Sequence, residues 1–313
     1  MATQETRQLD EIISSRRAMM LTGGIALAGL MLPRAANAAA LTDNDVLNFA
    51  LNLEYLEAQF YNLAAFGVTI DKLPTPIPVS VNGGTAGTVT VKPSFAKVPF
   101  SSPVISAYAA ETAVEERKHV TFLQGALGSA AVSMPNLDLY HSFNTLASAA
   151  GIGSAFDPFA HDADFLIGAY IFEDVGVTAY HGAAGAIQNK GTLGAAAGIL
   201  AVEAYHAGLI RTALNQLDPT GALGLLSLTQ KISATRSKLA NPSGTPVDDI
   251  GLATINVSLN ASASTYPALT FVDADSNSIA FARTPTQVLA IVTGGASNNQ
   301  GVFFPNGLNG TIK

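Results

Sequence analysis

The feature that most constrains this chain is where its glutamates lie. Beyond residue 40 they are Glu54, Glu57, Glu111, Glu115, Glu116, Glu173 and Glu203, and all fall within four long segments of helical hydrophobic period. Solvated glutamates scatter, so glutamates confined to apolar helices need a cause. Two of them open Glu-x-x-His pairs, Glu116 with His119 and Glu203 with His206. A three-residue step sets both side chains on one helix face, within reach of a common ion. The other two segments carry Glu-x6-Tyr, as Glu54 with Tyr61 and Glu173 with Tyr180. Seven residues is nearly two full turns, so each tyrosine shares the face of its glutamate. The elements alternate along the chain, which makes an internal two-fold repeat of a helix pair.

Two carboxylates and two Glu-x-x-His motifs projecting into one core are the ligand set of a two-metal carboxylate bundle. The chain has no cysteine, so any metal must be held by oxygen and nitrogen, a donor set that suits iron, manganese or cobalt, with iron or manganese expected. Four unpaired carboxylates in an apolar core would cost many kcal/mol, and cations remove that cost. The candidate ligands for two metal ions are Glu54, Glu116, His119, Glu173, Glu203 and His206. Glu57 lies as near the centre of its apolar face as Glu54 and is an alternative ligand. Tyr61 and Tyr180 are candidates for hydrogen-bonding the ligands, for oxidation near the metals, or for packing alone. Glu111 and Glu115 sit nearer the edge of their face, as supports of the ligands or as surface residues. Asp174 points away from Glu173 and is expected in solvent. His141, His161 and His181 are expected to be ordinary polar residues, with His161 beside a helix cap.

The four segments set the fold class, an all-α four-helix bundle. Thr42 and Asp43 cap a first helix that runs to Gly67, with Val46, Phe49, Leu53 and Phe60 on its apolar face. Its opposite face, with Asp45, Asn48, Asn52, Gln59 and Asn62, is expected in solvent. Residues 67–100 read as a β-hairpin insertion, with Val79-Ser80-Val81 and Thr88-Val89-Thr90-Val91 on either side of Asn82-Gly83-Gly84. A second helix is predicted over Pro103–Leu127, and residues 129–160 as a long crossover with room for a short helix. A third helix fits Asp162–Gln188 and a fourth Thr192–Leu217, ended by Asp218-Pro219. A shorter helix follows over Leu223–Leu239. The remaining tail is rich in Ser, Thr, Asn, Gly and Pro, with one short helix opened by Thr284-Pro285. Two helix pairs joined by one long crossover is the bundle topology of ferritin-like folds.

Residues 1–38 are set apart as an export signal. Arg16-Arg17 precede a mildly apolar run, and Ala36-Asn37-Ala38 is a small-x-small cleavage pattern, in the manner of a twin-arginine signal. The organisation expected is therefore signal 1–38, bundle 39–240 with its insertion, and a C-terminal extension 241–313 lying against the bundle. The mature chain is expected in the periplasm or secreted, without a stable membrane span. A net charge of -7 without a basic stripe argues against nucleic acid as a partner.

LNLEYLEAQFY in the first helix and VEERKHVTF in the second resemble the metal-binding helices of ferritins. The resemblance covers residues 41–217. Over its whole length the chain resembles the ferritin-like-domain proteins that include plant desiccation-related and fungal stress-associated members. It shares with them a tail segment like Arg283-Thr284-Pro285-Thr286-Gln287-Val288-Leu289 and an ending like Phe303-Phe304-Pro305-Asn306-Gly307-Leu308-Asn309-Gly310. The resemblance implies one metal at Glu54, Glu116 and His119, a second at Glu173, Glu203 and His206, and bridges from Glu116 and Glu203. It implies oxygen or peroxide chemistry, or a stress-associated structural role in which the metals only hold the core. The insertion, crossover and tail would sit badly on a subunit of a storage cage, although smaller homo-oligomers are compatible with them.

Overall fold

The computed structural model describes residues 41–244, 248–258 and 265–313. The export-signal reading of residues 1–38 lies outside the described residues. Four long helices form the bundle: α1 (Asp43–Phe66), α2 (Pro103–Leu127), α4 (Asp162–Ala183) and α5 (Lys190–Leu217). α3 (His141–Ala149) lies in the crossover, α6 (Leu225–Ala240) follows the bundle, and α7 (Pro285–Val292) lies in the tail. Their ends are set locally. Thr42 and Asp45 form a reciprocal capping box at the start of α1, and Gly67 ends it in the left-handed region at φ 75°, which costs a residue without Cβ little. Ser102 caps α2, Asn189 caps α5, and Thr284 with Gln287 forms a second capping box on α7.

α1 packs on α2, and α4 on α5. Contacts fix the directions: Asn62 and Glu54 of α1 meet Ala113 and His119 of α2, and Tyr61 and Glu54 meet Glu173 and Tyr180 of α4. α1 is thus antiparallel to both, and α2 and α4 run the same way. The connection between them must therefore return along a 25-residue helix, roughly 37 Å. That is why the crossover is long.

Three sequence expectations are corrected here. Residues 67–100 do not close into a hairpin. β1 (Val89–Thr90) instead pairs in parallel with β2 (Leu137–Asp138) of the crossover, and Met134 donates its amide to the Val79 carbonyl. The β-branched run found a partner distant in sequence, which turn signals cannot reveal. A separate antiparallel pair forms in the tail, β3 (Thr254–Ser258) with β4 (Thr265–Leu269).

Secondly, the polar face of α1 is not in solvent. Asn48, Asn52, Gln59 and Asn62 are buried, each under a different segment. Asn48 bonds Ala130 and Val132, Gln59 accepts from the Ile70 amide, and Asn62 accepts from Arg117. Asn52 and Asn309 exchange two bonds across 257 residues. The insertion, the crossover and the chain's end lie over α1 here, and Gln59, Asn48 and Asn52 satisfy the backbone laid on them, while Asn62 faces Ala113 and Arg117 of α2.

Thirdly, Asp174 is 2% exposed rather than solvated. It accepts from Arg211 of α5 (2.9–3.0 Å) and Arg236 of α6 (2.9 Å). Arg236 also reaches Asp249, which is held in turn by Arg283 of the tail. Gly182 makes room for this tail, since a Cβ there would stand 2.6 Å from the carbonyl carbon of Arg283. Phe303 is buried against Phe143 and Phe172, with ring centroids 5.3 and 4.9 Å away. Among the described residues α5 alone is long and apolar enough to cross a membrane by length and composition, yet it carries buried Glu203, His206 and Arg211.

Candidate metal centre

The bundle core holds the acidic and imidazole side chains that the sequence singled out. Glu54, Glu116, Glu173 and Glu203 are at most 1% exposed, and His119 and His206 are 8% and 4% exposed. One glutamate comes from each of the four long helices, because inward faces of four antiparallel helices meet on one axis. The histidines come from α2 and α5, each one turn from its glutamate.

Two groups form. Glu54, Glu116, His119 and Glu203 have ligand atoms all within 4.8 Å of one another, and so have Glu116, Glu173 and His206. Nδ1 of His119 lies 3.2 Å from Glu54, 3.5 Å from Glu116 and 3.5 Å from Glu203. Nδ1 of His206 lies 3.0 Å from Glu116 and 3.4 Å from Glu173. Glu116 belongs to both groups through its two oxygens, at the position of a bridge. Glu203 joins the group of His119 rather than standing with Glu173 and His206. It precedes His206 by three residues, about 4.5 Å along the helix axis, which brings it level with His119 on antiparallel α2.

The surrounding groups hold these side chains in place. Tyr61 of α1 donates to Glu173 of α4, and Tyr180 of α4 donates to Glu54 of α1. The two tyrosines thus exchange partners across the bundle. Nε2 of His206 lies 2.8 Å from Glu115, which fixes the ring with Nδ1 turned to the carboxylates, the support a metal-bound imidazole commonly has. Gly176 of α4 is equally specific, since a Cβ there would overlap Oε2 of Glu203 and stand 3.0 Å from its Cδ. Gly176 gave no sequence signal, because its partner is on another helix. Glu57 is also buried, beside the cluster but in neither group. Glu111 is exposed. His141 is exposed beside Asp138, His161 caps α4, and His181 faces the Phe281 carbonyl; none joins the cluster.

Electrostatically the cluster lacks positive charge. Burial raises the Glu54 carboxyl to about 7, against the pull of His119. Burial and the neighbouring carboxylates drive Glu57 and Glu203 well above the usual range, and burial likewise raises Glu173. Glu116 is opposed by burial, yet its contacts with His119 and His206 hold it down at about 2. Burial disfavours a charged His119, but the carboxylates of Glu54 and Glu116 outweigh it and push the ring up to about 11. His206 moves in the same direction. Protons take the places that cations would fill, so cation binding here must release protons.

The residues fit metal ions by a further observation. Both oxygens of Glu116 and of Glu203, Oε2 of Glu173 and Nδ1 of His206 are buried and make no hydrogen bond. Buried polar atoms are ordinarily satisfied, and here the unsatisfied ones converge on one another.

A bundle of two antiparallel helix pairs around buried carboxylates and imidazoles defines a class, that of helical proteins with a core able to take metal. The chain belongs to the ferritin-like domain family, whose profile matches residues 42–216, from the cap of α1 to within a residue of the end of α5. It is 33% identical over 279 residues to "Desiccation-related protein PCC13-62" of Craterostigma plantagineum, across 86% of this chain and 83% of the relative. It is 26% identical over 277 residues to "Ferritin-like catalase Nec2" of Nesocodon mauritianus, across 86% and 84%. No solved structure matches the chain.

Proposed function

We propose that this protein is an exported metalloprotein with two iron or manganese ions in its bundle core, used in peroxide or oxygen chemistry. The observation that carries this reading is the convergence of unsatisfied buried oxygens and nitrogen from Glu116, Glu173, Glu203 and His206. Glu54, Glu116, His119 and Glu203 would hold one ion, and Glu116, Glu173 and His206 the other. Bound iron or manganese would supply reversible electron transfer to oxygen or peroxide. The chain's own residues orient and insulate that chemistry: Tyr61 and Tyr180 fix two carboxylates, Glu115 fixes the His206 ring, and the apolar helices limit water. The relative named a ferritin-like catalase supports peroxide as the reactant.

The test is elemental analysis of the mature protein, purified without added metal or chelator. About two iron or manganese per chain is expected, followed by reaction of the loaded protein with peroxide or oxygen. No metal, and no uptake on reconstitution, would sink the reading. The N-terminal sequence of the secreted form tests export, with cleavage expected after Ala38.

A second reading, in which the metal only braces a stress-associated protein, is favoured by the relative named desiccation-related and by the ion pairs that tie tail to bundle. Glu116→Ala separates the two. Loss of reactivity with the fold retained supports redox chemistry, whereas a lower melting temperature with no reactivity to lose in the parent protein supports the brace.

A further inference from the structure

Between α1, α4 and the first turns of α5 lies a cavity of about 30 Å3, room for one or two water-sized molecules. Its walls are mostly apolar, among them Ala50, Leu53, Ala179, Ala183 and Ile187, with Phe49 and Tyr180 as aromatic members. Ala50, Leu53, Ala179 and Ala183 are half-buried and form its rim, while Glu54, Glu57 and Gly176 are buried and form its floor. The cavity therefore runs from the side of the bundle to the edge of the carboxylate cluster. Glu57 is a buried acidic residue of the bundle core that the candidate metal centre leaves unused. It is 6% exposed, stands in neither ligand group and joins no side-chain hydrogen bond among the described residues. Its carboxyl oxygens are not among the fully enclosed, unpartnered ones of the cluster, and the cavity it lines is where a partner can stand.

We propose that this cavity admits and holds a small uncharged molecule, of dioxygen or hydrogen peroxide size, with Glu57 as the polar group it meets. The inference rests on the redox reading above and names its reactant by size and charge. Mostly apolar walls make the passage costly for an ion, which would lose hydration with little compensation. The volume turns away organic substrates of more than a few heavy atoms. Gly176 joins the two, since its missing side chain leaves space for Glu203 and the residue itself lies on the floor of the cavity.

The experiment uses the full mature protein and its Ala50→Phe variant, which fills the rim one helical turn from Glu54, so that metal content serves as the control on the candidate ligands. Far-UV circular dichroism and metal content per chain should match between the two. Crystals of each under xenon pressure report whether the cavity admits a small neutral atom, independently of any redox activity. Stopped-flow oxidation of the reduced, metal-loaded proteins by dioxygen and, separately, by hydrogen peroxide tells the two reactants apart. Xenon density in the parent protein and none in Ala50→Phe is expected. The variant should be slowed at least about tenfold towards one reactant or both, a rise in barrier of roughly 1.4 kcal/mol. Absence of xenon from the parent cavity, or an unchanged rate in a variant with full metal content, would overturn the proposal. A loaded parent protein inert to both reactants would end the redox reading, while xenon would still decide whether the cavity receives a neutral guest.

Discussion

A methyl group added at Gly176 would overlap a carboxylate oxygen of Glu203, and neither helix can retreat from a packed core without moving other ligands. Gly176→Ala is accordingly expected to retain its helicity but to bind fewer than the two ions proposed for the parent, counted by elemental analysis beside far-UV circular dichroism. Gly198→Ala is the matched control. It lies within α5 with nothing within 4 Å of an added Cβ, so it should keep metal content and gain up to about 1 kcal/mol in urea denaturation. At this scale the sequence was informative about chemistry and silent about accommodation. Glu-x-x-His and Glu-x6-Tyr can be read because both members sit on one helix, where spacing fixes their common face. Gly176 with Glu203 and His206 with Glu115 are pairs across helices, and no spacing within one segment encodes them.

The elements are held by their ends and by charges buried between them. Thr42→Ala removes the cap that accepts from the Asp45 amide and should cost about 1 kcal/mol by chemical denaturation. Breaking the ion pairs of Asp174 should cost more. Asp174→Ala leaves Arg211 and Arg236 buried with one acceptor fewer, at about 3–5 kcal/mol, measurable in the same way. Burial opposes the charge on Asp174, but Arg211 and Arg236 hold its carboxyl below the usual range. A folded pKa below the unfolded value of 3.8 means stability that is full above that value and lost as pH falls through the folded one. Melting temperatures between about pH 5 and pH 2 should therefore fall, and less steeply in Asp174→Asn, which cannot ionise. The helices α1, α2, α4 and α5 were legible from period and caps, the expected third helix ending early, at Ala183. The side of α4 that carries Asp174 read as solvated because the tail that covers it is remote in sequence. The strand at Val89–Thr90 was legible as a strand, but its parallel partner at Leu137–Asp138 was not.

For the whole molecule, the proposed metal and the fold would be linked by mass action. Ions held only by the folded chain stabilise it by about 2.7 kcal/mol at a hundred times the dissociation constant. Chelation should thus lower the melting temperature by roughly 5–10 °C for a domain of this size, and readdition of iron or manganese should restore it. A melting temperature indifferent to chelator would count against occupied sites. The same linkage has a bearing on when the centre can come into being. Tyr61 serves Glu173 and Tyr180 serves Glu54, across 112 and 126 residues, so neither half of the chain finishes its own ligands. A nascent α1–α2 pair offers only Glu54, Glu116 and His119, with Glu54 still wanting its tyrosine. The centre is complete only when the second half has crossed over and docked, so a filled centre records that folding has run to its end.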